Sequence, residues 1–427
     1  MTSIRRKKFM HPGLLHTNED FARIKLQKQH GGWVEERAYN QFVNDAYSNP
    51  DHALMGPYEC VTREFSSDYE ASAEAFVGDS QAARQLALLW AIDGNEKAGR
   101  KAIEILDTWA GSLKQFKGNG AQLIASLTGG TLIQAAEIMR YTSDFWNPAS
   151  ISRFETMVRE AILPPVTQTR PNEDQKLPFI GNWGTSAEKA LIAISIFLDD
   201  HHLYQLGKKA IQFAPCANLT GIINPTGQSS DSGRDQQHTQ LGLGSYAEAF
   251  QMMWNQGDDF YSLADNRLLT GLEYTARFIG GDDVPFDTNF FTCHCSVLGG
   301  PWKQISQDGR SLARPIFEMA YAHYTVIKGL KMPWTEKLIN SEIDVPHELN
   351  PCGKSVDQKP HAGRSKPSSY SNRWWLLPNL ALSSRGLNGV EPGMSRQLLQ
   401  AKNVASISLV CLCRPQIFVS SALTANV

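Results

Sequence analysis

The chain has 427 residues, of which 42% are hydrophobic, 20% charged and 10% aromatic, with a formal net charge of −2. That composition describes a globular protein with a sizeable core and excludes a disordered chain. The near-neutral balance supplies no basic field for nucleic acid or an anionic membrane surface, and no apolar run of about 18 residues is present to span a bilayer.

The first ten residues carry Arg5, Arg6, Lys7 and Lys8 with no apolar stretch behind them, so no export signal is visible. Seven cysteines form an odd, sparse set that does not read as a disulfide framework. Thr17-Asn-Glu-Asp20 ahead of Phe21 resembles a capping box and predicts a helix start. Ala83, Leu86, Ala87 and Trp90 then fall at helical spacing. Ala98, Ala102, Ile105, Leu106 and Trp109 repeat the stripe, with Gly94-Asn95 as the turn between. Ala187, Ala190, Leu191, Ile194, Phe197 and Leu198 form a third stripe, and Asp199-Asp200 separates it from a helical run over 203–213. Further helices are predicted over 121–142, 150–162, 238–256, 261–279 and 312–329. Alternating strand patterns are scarce.

Helical pairs joined by short polar turns argue for stacked hairpins. No fixed repeat of about 33 to 47 residues supports an open solenoid, so the predicted fold is all-α, an α/α toroid or incomplete barrel of hairpins. The long polar connection 214–237 is then expected to line a groove. Residues 351–427 depart from this pattern, holding nine Lys or Arg against Asp357 and Glu391, a net +7 that leaves −9 for residues 1–350. Residues 1–350 are accordingly read as the folded domain. The basic, Ser/Pro-rich 351–427 is read as a separate tail, of the kind a shifted reading frame or retained intron would produce.

No phosphate-binding loop, dinucleotide fingerprint, nucleophile elbow or His-Glu-x-x-His is present. Cys293-His294-Cys295 and Cys411-Leu-Cys413 lack tetrahedral zinc spacing and read as ordinary thiols. Asn218-Leu-Thr220 fits a glycosylation sequon, which matters only for an exported chain. Three stretches concentrate polar and aromatic groups: 178–186 around Asn182 and Trp183, 230–244 with Asp231, Arg234, Asp235, His238 and Gln240, and 264–274 with Arg267, Gly271 and Tyr274. On a helix the last three share one face, and the glycine leaves room between two long side chains. Arg234 and His238 stand at i and i+4 if their segment is helical.

These residue types suit β-elimination on a uronic acid. The proton on carbon 5 becomes acidic once an amide or guanidinium neutralises the adjacent carboxylate. A Tyr or His then takes that proton, and a general acid protonates the departing glycosidic oxygen. No metal or organic cofactor is required. Each residue also has a plainer reading: Asn182 as a helix-entry residue, His238 as a structural histidine, Arg267 as a surface arginine, and Trp183 and Tyr274 as packing.

The stretches His11-Pro-Gly-Leu-Leu-His-Thr17, Gly181-Asn-Trp-Gly184, Ser232-Gly-Arg-Asp-Gln-Gln-His-Thr-Gln-Leu-Gly-Leu-Gly244, Ala264 to Thr275 and Arg314-Pro-Ile-Phe-Glu318 with Ala322-His-Tyr324 resemble the alginate-lyase-domain family of polysaccharide lyases. The resemblance implies an α/α toroid that cleaves a uronic-acid polymer by elimination without a cofactor. It implies Asn182 as carboxylate neutraliser, His238 as proton acceptor or helper, Tyr274 as base and acid, and Arg234 or Arg267 as carboxylate clamp. Trp183, Gln240, His323 and Tyr324 are expected with Arg267 at the substrate. Trp183 stands where the better-known alginate lyases carry a histidine, and relatives that share the His238-Thr-Gln-Leu-Gly242 pattern include glucuronan-active lyases, so β-glucuronan joins mannuronate polymers as an expected substrate. Family members are generally exported, so an extracellular monomer is expected, with the anionic polysaccharide as partner and neither nucleic acid nor membrane. Two other readings are an inactive polyuronate-binding relative and a toroid glycoside hydrolase, which would need two carboxylates from Asp231, Asp235 and Glu188.

Overall fold

The computed structural model describes residues 8–30, 36–64, 70–167, 180–290 and 300–343. Cys293 to Cys295 and the whole segment 351–427 lie outside the described residues. Among those described, helices run α1 Asn18–His30, α2 Glu36–Val43, α3 Ala71–Asp93, α4 Glu96–Ala110, α5 Ala121–Thr142, α6 Pro148–Met157 and α7 Leu163–Thr167. They continue with α8 Gly181–Phe197, α9 His201–Phe213, α10 Leu219–Ile222, α11 Gln236–Asn255, α12 Leu263–Ile279, α13 Phe317–Ala322 and α14 Pro333–Ile343. Two three-residue strands, β1 Cys60–Thr62 and β2 Gln115–Lys117, pair in parallel with Val61 opposite Phe116. None of the described helices is long and apolar enough to cross a membrane.

The chain forms two compact units. In the unit built on residues 46–177 and 186–207, α3 packs against both α4 and α5. That double contact explains why α3 is buried on nearly every side and not on one stripe alone. The α3–α4 turn follows its residues: Gly94 takes φ 68°, which only glycine adopts freely, and Asn95 caps α4 by accepting from the Ala98 amide at 3.0 Å. The predicted stripe Ala98, Ala102, Ile105, Leu106 and Trp109 is entirely buried. Helix α6 ends in a π turn, Val158–Ile162, before α7. Pro164 and Pro165 follow it, and their missing N–H groups break the regular ladder.

The polar centre of this unit is Asp79, whose side chain is fully buried. Its Oδ1 accepts from His52 Nε2 at 2.9 Å and the Met55 amide at 3.0 Å. Its Oδ2 accepts from the Gly56 amide at 3.0 Å and Trp109 Nε1 at 2.9 Å. Burial pushes this carboxyl up, but the bonds from His52, Met55, Gly56 and Trp109 outweigh it and hold the group below its usual range.

The other unit is built on the described residues 8–30, 36–45, 180–185, 208–290 and 300–343. Its α1 begins as the capping pattern predicts: the Thr17 amide and hydroxyl donate to Asp20 Oδ2 at 2.9 Å, and the Asp20 amide donates back to Thr17 Oγ1 at 3.2 Å. Residues 10–14 are tied to the end of α11. Gln256 exchanges bonds with the Met10 amide and Gly13 carbonyl, both at 2.8 Å, and Asn255 donates to the Leu14 carbonyl at 2.6 Å. Glu273 on α12 caps α14, accepting from the Trp334 and Thr335 amides at 3.1 and 2.8 Å. Cys60 is a free thiol.

Candidate active site

The site grows out of the connection between α10 and α11. Asn218 caps α10, accepting from the Gly221 amide at 2.9 Å while its own amide donates to the Ala214 carbonyl at 2.6 Å. Ile223 and Ser229 then bridge across a tight loop in which Asn224 Oδ1 accepts from the Thr226 and Gln228 amides. Gly227 sits at φ 96°, and a Cβ there would fall 2.3 Å from the Thr270 carbonyl and 2.7 Å from Tyr274 Cβ. Only glycine lets this loop lie flat on α12.

The face of α12 that receives it is the one the sequence predicts. Arg267 Nη1 donates to the Ile223 carbonyl at 3.0 Å, and Ile223 itself fills the space over Gly271. Tyr274 is buried, and its hydroxyl donates to the Pro285 carbonyl at 2.7 Å. Burial raises this phenol well above its ordinary value, so it stays protonated at neutral pH.

Beyond Ser229 the chain turns into the polar centre. Asp231 is buried, and its Oδ2 accepts from the Asn182 amide at 3.0 Å in the first turn of α8. Burial raises its pKa, against the opposing pull of Arg234 and His238. Arg234 Nη1 lies 3.5 Å from Asn182 Oδ1 and 3.9 Å from Asp231 Oδ1, and its Nε lies 3.9 Å from Asp235 Oδ2. Asp235 caps α11 through the His238 amide at 2.7 Å and holds His238 Nδ1 at 2.5 Å. For Asp235, burial raises the pKa but the hydrogen bond and charge of His238 prevail, leaving it below the carboxylate norm. An ionised carboxylate on Nδ1 fixes the proton there, so neutral His238 carries its lone pair on Nε2.

Asn182, Arg234 and His238 are thus brought together, as expected, but not on one helix. Helix α11 starts at Gln236, so Arg234 precedes the cap and meets His238 through Asp235. Asp235 was not expected in this role; the signal available was an acid three residues ahead of a histidine at a helix start. The 214–237 connection is less open than a groove lining would be, with 227–232 buried throughout. Trp183 is half-buried beside Asn182.

Three residues expected at the substrate lie in the packing instead. Gln240 is fully buried, its amide donating to the Gln236 and Leu312 carbonyls at 3.1 and 2.9 Å and accepting from the Arg314 amide at 2.6 Å. Tyr324 is fully buried and donates to the Tyr261 carbonyl at 2.8 Å. His323 stacks on Tyr261 at 3.7 Å between ring centres, with Trp254 edge-on at 4.7 Å. Among the described residues neither ring nitrogen of His323 has a hydrogen-bond partner. Burial, helped by Lys328, pushes its pKa down to about 3.

That depressed value has a sign that melting can read. Below the unfolded pKa of about 6.5 the unfolded chain takes up a proton that the folded chain refuses until about pH 3, so stability falls with pH by up to about 1.4 kcal/mol per unit. His323→Phe keeps the stacking and removes the titration. It should therefore melt higher than the parent at pH 5, with a smaller difference at pH 7.5. Equal differences at both pH values would refute this account.

Among the described residues no group of three or more His, Cys, Asp or Glu side chains could hold a metal ion. Comparison with known families and folds gives a consistent picture. The sequence profile of the alginate lyase family matches residues 27–286. An alginate lyase from Bacteroides ovatus superposes with TM-score 0.57 at 16% identity, covering 79% of this chain and 97% of that one. Alginate lyase A1-III from Sphingomonas species A1 gives 0.56 at 13% identity, over 78% and 93%. A histidine-to-alanine variant of A1-III complexed with tetrasaccharide gives 0.57 at 14%, over 76% and 90%. No curated protein sequence matches. The structural likeness shows the fold, which is the all-α, α/α-toroid class predicted from the helical hairpins.

Proposed function

The chain belongs to the alginate lyase family and is a polysaccharide lyase, and on that premise we propose β-eliminative cleavage of a mannuronate or glucuronate polymer at the cluster around Asn182. The observation that carries this reading is the convergence of Asn182, Arg234 and His238, with Asp235 fixing the histidine's tautomer. Asn182 and Arg234 hold the uronate carboxylate, neutralising it and stabilising the enolate-like intermediate. His238 Nε2 takes the proton from carbon 5. The electron pair left on carbon 5 forms the double bond to carbon 4 as the bond from carbon 4 to the glycosidic oxygen breaks. Tyr274 leaves the Pro285 carbonyl and gives its proton to that oxygen, a role suited to a phenol that remains protonated. Two of the structural neighbours hold a tetrasaccharide in variants that replace a histidine or a tyrosine, which supports assigning such residues to catalysis here.

A hydrolase would need two carboxylates free to flank the bond. Asp235 is engaged with His238, and Asp231 with the Asn182 amide, which favours elimination.

The test is near-ultraviolet absorbance during incubation with polymannuronate, polyguluronate and β-glucuronan in turn. A rise on a mannuronate or glucuronate polymer is expected, falling about 10²–10⁴-fold in Tyr274→Phe and in His238→Ala. Folded protein giving no rise on any polymer would overturn the proposal in favour of a binding-only relative. Reducing ends without absorbance would point to hydrolysis.

A further inference from the structure

The chain from Gly227 to Gln240 is closed except at one place. Gly233, Arg234 and Gln237 are partly exposed, and every other residue in the stretch is buried. Arg234 is thereby the part of the Asn182 cluster in this stretch that reaches the surface. Trp302 stands at that opening. A Cβ on Gly233 would fall 2.4 Å from Trp302 Cβ, 2.7 Å from Cγ and 3.0 Å from Cδ2, so the root of the indole lies directly on the glycine backbone.

The segment carrying Trp302 is stitched to the same loop. The Ser306 amide donates to the Ser232 carbonyl at 2.9 Å, and Gln236 donates from its backbone to Asp308 and from its side chain to Ser306, both at 2.9 Å. The indole is nevertheless only half-buried, between exposed Pro301 and Lys303. Trp109 and Trp146, by contrast, are buried and donate their Nε1 to Asp79 and Asp107. A tryptophan whose base is fixed while its ring stays partly in water offers a flat apolar face and a hydrogen-bond donor at a set position. Those are the features that bind the C–H face of a pyranose and one of its hydroxyls.

We propose that Trp302 is a sugar-stacking subsite, taking a uronate ring adjacent to the one whose carboxylate meets Arg234. The proposal rests on the lyase reading above for the identity of its ligand.

The test combines kinetics with fluorescence titration by mannuronate and glucuronate oligosaccharides, on the parent, Trp302→Ala and Trp302→Phe. Trp302→Ala should raise KM about ten-fold with kcat near the parent value, and Trp302→Phe should recover most of it. Oligosaccharide should quench parent fluorescence, and the quench should fall in Trp302→Phe to the share that Trp183 beside Asn182 gives. Unchanged KM and an unchanged quench would overturn the subsite, as would a lower melting temperature with KM unaltered, which is what a plug over Gly233 would give. Fluorescence needs no turnover, so the two readings fail separately. A Trp302-dependent quench without cleavage refutes the lyase reading and keeps the subsite, whereas cleavage with a Trp302-independent quench does the reverse.

Discussion

Asp235→Asn should lower turnover by about 10²–10⁴-fold while leaving the protein folded. The asparagine carbonyl can still accept from the His238 amide and cap α11, so the helix start survives. Its amide, however, presents N–H groups where the carboxylate oxygen faced His238 Nδ1. The ring answers by accepting at Nδ1, which moves its proton to Nε2, and the atom meant to receive the carbon-5 proton then already carries one. Asp235→Ala should lose activity too, but with a drop of about 1 kcal/mol in stability from the missing cap. Rates from near-ultraviolet absorbance, paired with nitrogen NMR of the His238 ring, read the two effects separately. A parent-like rate with the proton on Nε2 would refute the role given to His238.

Asp79→Ala should be the most damaging single change to stability, costing about 3–5 kcal/mol. It strands the Met55 and Gly56 amides, Trp109 Nε1 and the His52 ring nitrogen around a hole in a water-excluded place. Asp79→Asn should cost less, because the amide oxygen satisfies part of the set. The lowered pKa of Asp79 also stabilises the fold above the unfolded carboxylate value, near 3.9, and that contribution is lost as pH falls through the folded value. Denaturant melts of the two variants at pH 7 and pH 3 test this. The alanine penalty should be largest at pH 7; a variant as stable as the parent there would be the contrary result.

The helices were legible because their signals are local. Asn95 and Thr17 announce caps, and the Ala98-to-Trp109 stripe names its own buried face. The site was legible only in part. Asn182, Arg234 and His238 could be picked out by residue type, yet their meeting depends on Asp231 reaching the first turn of α8 from 49 residues away. Gln240 and Tyr324 read as polar groups near a sugar, and nothing in their spacing tells that backbone carbonyls have claimed them. Trp302 lay beyond sequence reading for a similar reason, since its importance comes from a glycine 69 residues earlier that leaves it room.

The seat of Gly227 on α12 limits what can stand at that position. Only three residues lie between that glycine and Asp231, and its backbone is pressed against the root of Tyr274. One short run of backbone therefore links the packing against Tyr274 to the carboxylate that accepts from the Asn182 amide. A side chain at position 227 would meet the Thr270 carbonyl and Tyr274, so tolerance for change there is small.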